Sequence, residues 1–416
     1  MHQIFLLDRS SPRARAPLRV IACAITLACA MNAVADLDAK KAEATEPTVI
    51  KPAPVAARPA PRGPRNGAWW TSSARILAGM SSPVVPDLVE FSKHPAVVQH
   101  RTEFHRVWVK FAAERLKPVG EFAVRELGGP EAAGPLYYPF SGPDILYPLA
   151  LFPQAAEIAL TGLEPVGDIP DLTNLDDEQI AGSLAQLRRS LNALLAFSFF
   201  RTNDMREEFA NNRLSGVTPI MLIFLARHQA VITSVQPFIL EKDGKVRNVP
   251  PWTLHNLAVE RIPGVRISFT LPNDPRERKL FYFAADLSDA GLAKTPQYLP
   301  WMNAFEPRVS FVKSASYLMH KNYFSEVRTF ILERSSMVVQ DDSGVPIRLF
   351  AEHIWDRKMF GTYSGPIPLF ANWYQKDMKA AYDKATLPIE FGIGYQHVSK
   401  KSNLQIFQRR VQRASN

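Results

Sequence analysis

Both cysteines of this chain, Cys23 and Cys29, lie within its first 35 residues, and no thiol follows them. That region has the pattern of a secretory signal peptide. Arg9, Arg13, Arg15 and Arg19 form a basic leader, Val20 to Ala30 is apolar, and Ala33-Val34-Ala35 ahead of Asp36 is an A-x-A cleavage site. The expectation is a chain exported to the periplasm or beyond and cut near Ala35. Its mature part would have no disulfide, no thiolate nucleophile and no cysteine-ligated metal. Such a chain must hold together by burial alone. About 350 residues remain beyond residue 67, enough for a sizeable core.

No segment reads as a membrane span of the mature chain. The leader's apolar run is about 11 residues, against roughly 20 needed to cross a bilayer. The apolar stretch Pro219 to Ala226 is stopped by Arg227 and His228 and reads as a buried core element. Residues 36–67 read as a linker: Pro47, Pro52, Pro54, Pro59, Pro61 and Pro64 stand among Ala, Lys and Arg with few large apolar side chains. One globular domain is expected over 68–416. The chain carries 49 basic and 40 acidic side chains, a net charge of +9 that falls to +6 once the leader's four Arg and one Asp are removed. That mild excess shows no dense basic stripe, so nucleic acid is not an expected partner.

The order of periodicities predicts the fold class. Helical spacing is expected from Pro95 to Lys117, with Val97, Phe104, Trp108 and Phe111 on one face, and over Asp176 to Phe200. A strand at Leu136 to Phe140, a helix over Asp144 to Leu151 and a strand at Glu157 to Leu163 follow one another. Further on, the pattern turns hairpin-like: Ala230 to Leu240 with a turn at Asp243-Gly244, then Val265 to Leu271 followed by Lys279 to Ala285. Met337 to Gln340 and Pro346 to Phe350 read as a hairpin across Asp341-Asp342-Ser343-Gly344. The last helix is read over Leu369 to Lys384. Together these predict an α/β fold: a Rossmann-like mixed sheet flanked by helices, with added antiparallel hairpin strands in the C-terminal half.

The sharpest local pattern is Tyr138-Pro139-Phe140-Ser141-Gly142-Pro143-Asp144, then a helix and a strand ending Gly162-Leu163-Glu164-Pro165. In nucleotide-binding α/β folds the turn after the first strand admits the ligand, and an acid closing the second strand takes ribose hydroxyls. The unit resembles the start of a class I methyltransferase. It departs from that pattern in having one glycine where the family has several, and in Pro143, which removes a backbone donor. Taken with Lys313 to His320, Gln340 to Gly344 and Phe360 to Ile367, the same stretches resemble a group of exported bacterial proteins with no assigned activity. That likeness implies export and an α/β domain, and no reaction.

Two other groups of residues could carry chemistry. Lys313 to His320 and Asp341 to Ser343 supply the residue types of a hydrolase, with His320, Asp341 and Asp342 as the polar candidates, although no G-x-S-x-G or S-x-x-K spacing is present. Asp-Asp-Ser-Gly is also ordinary turn chemistry. His94, His100 and His105 do not converge on one helical face, so solvated or capping roles are expected and no metal site. Phe370, Trp373 and Tyr374 have the i, i+3, i+4 spacing of a packed helix face.

The leading expectation is an exported protein that binds a cell-envelope polymer or small ligand near Ser141, Asp144 and Glu164, without a cofactor. A hydrolase built on 313–320 and 341–343, and a methyltransferase-like enzyme, are the alternatives.

Overall fold

The computed structural model describes residues 65–81, 85–169, 172–197, 214, 216–250, 253–254, 260–272, 274–397 and 401–410. The expected signal peptide and the linker up to 64 lie outside them. All described residues belong to one compact unit, 58–416. Among them no helix is long and apolar enough to cross a membrane.

A single ten-stranded sheet organises the described residues. In chain order its strands are β1 Leu136–Tyr138, β2 Glu157–Gly162, β3 Val231–Leu240, β4 Val246–Asn248, β5 Ile262–Leu271, β6 Asp274–Ala284, β7 Val309–Val312, β8 Met337–Gln340, β9 Trp355–Gly361 and β10 Asn403–Arg409. Across the sheet the order is β4-β3-β5-β6-β2-β1-β7-β8-β10-β9. The middle five, β6-β2-β1-β7-β8, are all parallel. Both wings are antiparallel: β3, β4 and β5 on one side, β10 and β9 on the other.

Side-chain alternation explains why the sheet needs helices on both faces. Leu136, Tyr138, Ile158, Leu160, Phe311 and Val339 point into one apolar cluster, while Tyr137, Ala159, Val312, Val338 and Phe407 point into a second. The first is covered by helices from the earlier part of the chain: Gly67–Leu77, Pro95–Phe111, Lys117–Glu126, Leu146–Leu151, Asp177–Phe197 and Thr218–Arg227. The last of these is buried at every residue, as its uninterrupted apolar run predicts. The second cluster is covered by Asp289–Lys294, Tyr298–Phe305, Ser325–Arg334 and Lys376–Lys384. The α/β class, the Rossmann-like parallel core and the antiparallel additions are all present.

Several expected elements take a different form. β6 is antiparallel to β5 but parallel to β2, so it is the third parallel strand as well as half of a hairpin. β8 has no hairpin partner at 346–350: Pro346 has no N–H to donate to a ladder, and Ile347–Leu349 is a short 3₁₀ turn whose Ile347 N–H goes to Gln375 Oε1. The helix expected over 369–384 breaks in two. Pro368–Trp373 is 3₁₀ and the α-helix begins at Lys376, because Gln375 N–H donates to Tyr363 OH rather than continuing a helical ladder. Phe370, Trp373 and Tyr374 therefore form no helical face, and Tyr374 is 46 % exposed.

Candidate functional site

A cleft opens at the C-terminal ends of β1, β2, β6 and β7, where the order of the parallel strands reverses direction from β1. Ligands of open α/β sheets bind at this switch point. Ser141, Gly142, Asp144, Thr161, Glu164, Asp286 and Lys313 to Ser316 contribute to its lining. The cavity has a volume of about 130 Å³.

The turn after β1 is fastened to β2. Ser141 N–H donates to Thr161 O (2.8 Å), and Thr161 N–H donates to Ser141 Oγ (3.1 Å). Ser141 Oγ in turn points its own proton at Gly142 O (3.0 Å). The hydroxyl is thus a staple between two strands. Gly142 has φ +52°, which suits a residue with no Cβ. The close approach continues at Gly162, where an added Cβ would lie 3.0 Å from both Gly142 Cα and Tyr282 OH, and closer still to Glu164 Oε2. Glycine at both positions lets the acid at the end of β2 fold back over the turn.

Glu164 is 4 % exposed yet lines the cleft. Tyr282 OH donates to its backbone oxygen (2.8 Å) and lies 3.4 Å from Oε2. Burial and the neighbouring acid push the Tyr282 phenol well above its usual range, so it is a fixed donor. Asp144 is also buried. Its carboxylate meets Lys313 Nζ at 2.8 Å, accepts from Tyr138 OH at 3.1 Å and stands 3.4 Å from Tyr147 N–H. Lys313 Nζ lies 4.0 Å from the centre of the Tyr147 ring. Asp144 therefore sits at the first turn of the six-residue helix Leu146–Leu151, where a phosphate would have to sit, and it engages the nearest ammonium.

Asp286 was not among the residues singled out from the sequence. It follows β6, is exposed in the cleft and accepts from Ser288 N–H (2.9 Å). Its signal is a strand, Lys279 to Ala285, followed at once by an acid. That signal has meaning only when β6 is seen to be parallel to β2.

The remaining candidates lie beside the cleft. Asp341 and Asp342 are 1 % and 4 % exposed at the end of β8. Asp341 Oδ1 accepts from Ser343 N–H (2.9 Å) and Ser343 Oγ, and Oδ2 accepts from Ser314 N–H (2.8 Å). Asp342 accepts from Tyr317 OH and from Asn403 Nδ2 (3.1 Å). Burial raises both carboxyls. Asp342, with the Asp341 charge next to it, is pushed up to about 7. The turn does bond its own backbone, as its composition predicts, but it is a buried hub and not an exposed hairpin tip.

His320 is half-buried between the rings of Tyr317 (5.2 Å) and Trp373 (5.7 Å). Burial, with Arg348 and Arg328 adding, lowers it to about 4, so it is neutral at pH 7. Its Nε2 has no hydrogen-bond partner. Among the described residues no histidine bonds the hydroxyls of Ser141, Ser314, Ser316 or Ser343, which are stapled, unpartnered or turned to Tyr395 and Asp341. Ser141, Asp144 and Glu164 are brought into one cleft, while Ser141, His320 and Asp341 form no hydrogen-bonded relay.

The histidines near residue 100 divide. His94 caps its helix through Ala96 N–H (3.2 Å). His100 is not solvated: it is fully buried, with Nε2 2.7 Å from Leu77 O, and burial lowers it to about 4. No group of three metal-ligating side chains occurs among the described residues. No protein-family model matches this chain, and neither a curated protein nor a solved structure matches it.

Proposed function

We propose that this is an exported binding protein that holds a small ligand bearing adjacent hydroxyls, of the nucleoside or sugar class, in the switch-point cleft. The observation that carries the reading is Glu164: a carboxylate folded over Gly142 at the end of the second parallel strand, where a hydroxyl pair would find an acceptor. Asp286 adds a second acceptor on the exposed side. The same charges argue against phosphorylated ligands. Pro143 offers no N–H, Asp144 fills the first turn of the helix after β1, and Lys313 is drawn to Asp144.

A methyltransferase-like enzyme is the second reading, and one observation favours it. Numbering only the core, the sheet runs third-second-first-fourth-fifth, then β10 reversed, then β9. A reversed strand set between the fifth and sixth is the sheet order of class I methyltransferases. A fold does not by itself carry an activity, so the ligand decides between the readings.

Thermal unfolding of the protein with adenosine, S-adenosylmethionine, a peptidoglycan disaccharide and NAD in turn tests both. A true ligand at 100 times its Kd should stabilise the fold by about 2.7 kcal/mol. Adenosine or the disaccharide should shift the transition and NAD should not, and Glu164→Gln should abolish the shift. A shift with S-adenosylmethionine well beyond that with adenosine would favour the enzyme. No shift with any of the four, or an undiminished shift in Glu164→Gln, would sink the binding reading.

A further inference from the structure

The wall of the cleft contributed by the loop after β7 has an unusual backbone. Ser314, Ser316 and Tyr317 have φ of 51°, 50° and 52°, three left-handed non-glycine residues in four. Such conformations persist only where surrounding contacts impose them, and they concentrate at ligand sites. Here the contacts can be named. Ser314 N–H donates to Asp341 Oδ2 (2.8 Å), Ala315 N–H to Ser343 Oγ (2.8 Å) and Ser316 N–H to Tyr395 OH (2.9 Å). Tyr395 OH donates back to Ser314 O (2.8 Å), and Tyr317 OH donates to Asp342. Every amide of Ser314 to Ser316 is thus taken by a side chain from the turn after β8 or from Tyr395. Because β7 and β8 are parallel neighbours, the loop leaving one and the turn leaving the other emerge side by side.

We infer that Asp341 and Asp342 are positioning residues of the ligand cleft: buried under the wall, they and Tyr395 hold Ser314–Tyr317 in the left-handed form against which the ligand rests. The inference rests on the cleft being the ligand site. It gives the acid pair a role that needs neither a nucleophile nor a metal. It also ties the wall to pH. The groups facing Asp342 are Asp341 on its own turn, Tyr317 on the wall, and Tyr363, Tyr382 and Tyr395 from the C-terminal elements, with Lys313 acting on Asp341. The four tyrosines are pushed above their ordinary range and stay neutral between pH 5 and 8. His320, beside Tyr317, is neutral there as well. Asp341 and Asp342 are both raised by burial and ionise as a pair under the wall, and a folded Asp342 pKa raised from 3.8 to about 7 means that opening becomes easier as pH rises towards 7.

Amide hydrogen exchange on the ligand-free protein, corrected for intrinsic rates, reads the wall directly, and adenosine titration reads the cleft. Tyr395→Phe should speed exchange at Ser314 and Ser316 about tenfold and weaken adenosine by a similar factor. Exchange in the paired strands β3 and β5 should stay unchanged. Wild-type protection at these amides should fall from pH 5 to 7 and level off, whereas in Asp342→Asn the fall should be smaller. Unchanged exchange in Tyr395→Phe, or the same pH dependence in Asp342→Asn, overturns the clamp. Faster exchange with undiminished adenosine binding overturns the positioning role. If wild type fails to bind adenosine, the nucleoside reading falls while the exchange data still decide the clamp.

Discussion

Two sets of buried carboxylates lie at the same end of this sheet, and the protein solves their burial differently. Asp144 meets an ammonium, Lys313, itself 2 % exposed on its side chain. The hydrogen bonds described for Asp341 and Asp342 come from neutral donors, namely backbone amides, hydroxyls and the Asn403 amide, and the Lys313 charge acts on Asp341 besides. A counter-ion stabilises a buried charge in proportion to that charge, whereas hydrogen bonds to a pair of adjacent acids leave their mutual repulsion in place. Burial, with the neighbouring Asp341 charge adding to it, raises Asp342 to about 7. The first arrangement gives the cleft an anchor held by a charged partner, and the second gives a wall support sensitive to protonation.

The comparison breaks most visibly at Lys313. Lys313→Met keeps the length of the side chain and strands the Asp144 carboxylate in the interior. Removing one partner of a buried pair typically costs about 3–5 kcal/mol. Urea unfolding should show that loss, and Asp144→Asn in the same background should recover much of it. A loss under about 1 kcal/mol would mean that the pair behaves like a surface ion pair, and the contrast with Asp341 and Asp342 would collapse.

Asp342→Asn should act in the opposite direction. The native state holds the Asp342 proton up to about pH 7, while the unfolded chain releases it near 3.8. The group therefore contributes stability that is full below about pH 4 and lost as pH rises through 7. The asparagine variant should match or exceed wild type at pH 8 by up to a few kcal/mol and show a flatter stability–pH curve between 4 and 7. Parallel curves would show that Asp342 ionises normally and would remove the protonation half of the comparison.

How much of this could be seen in the chain follows from sequence distance. The turn at Ser141-Gly142 and the acid at Glu164 belong to one short strand–helix–strand unit, so they were legible. So were the parallel core's first two strands and the buried helix Thr218–Arg227. β6 was legible only as the mate of β5, because a strand has two edges and a turn reveals one of them. Its other edge meets β2 across more than a hundred residues, and Asp286 was missed for that reason. The turn at Asp341–Gly344 was read correctly for its local bonds. It is enclosed by Gln375 and Asn403, which nothing in the local sequence announces. The break at Gln375 was missed for the same reason: its partners, Tyr363 OH and Asp342 O, are remote in sequence.

The smallest expected effect compares the two walls through their backbones. Gly142 and Ser314 have nearly the same φ, +52° and +51°, but only Gly142 is the residue type that adopts it freely. Ser314 also buries a hydroxyl with no partner. Gly142→Ala should cost about 1 kcal/mol through the backbone, since its Cβ would meet Glu164 at an ordinary 3.5 Å. Ser314→Gly should gain about 0.5–1 kcal/mol, the relief of a left-handed serine less the entropy glycine returns to the unfolded chain. Chemical denaturation of the two variants side by side resolves opposite signs. A Ser314→Gly protein less stable than wild type would mean that the wall is not strained, and that the acid pair supports it without opposing any backbone preference.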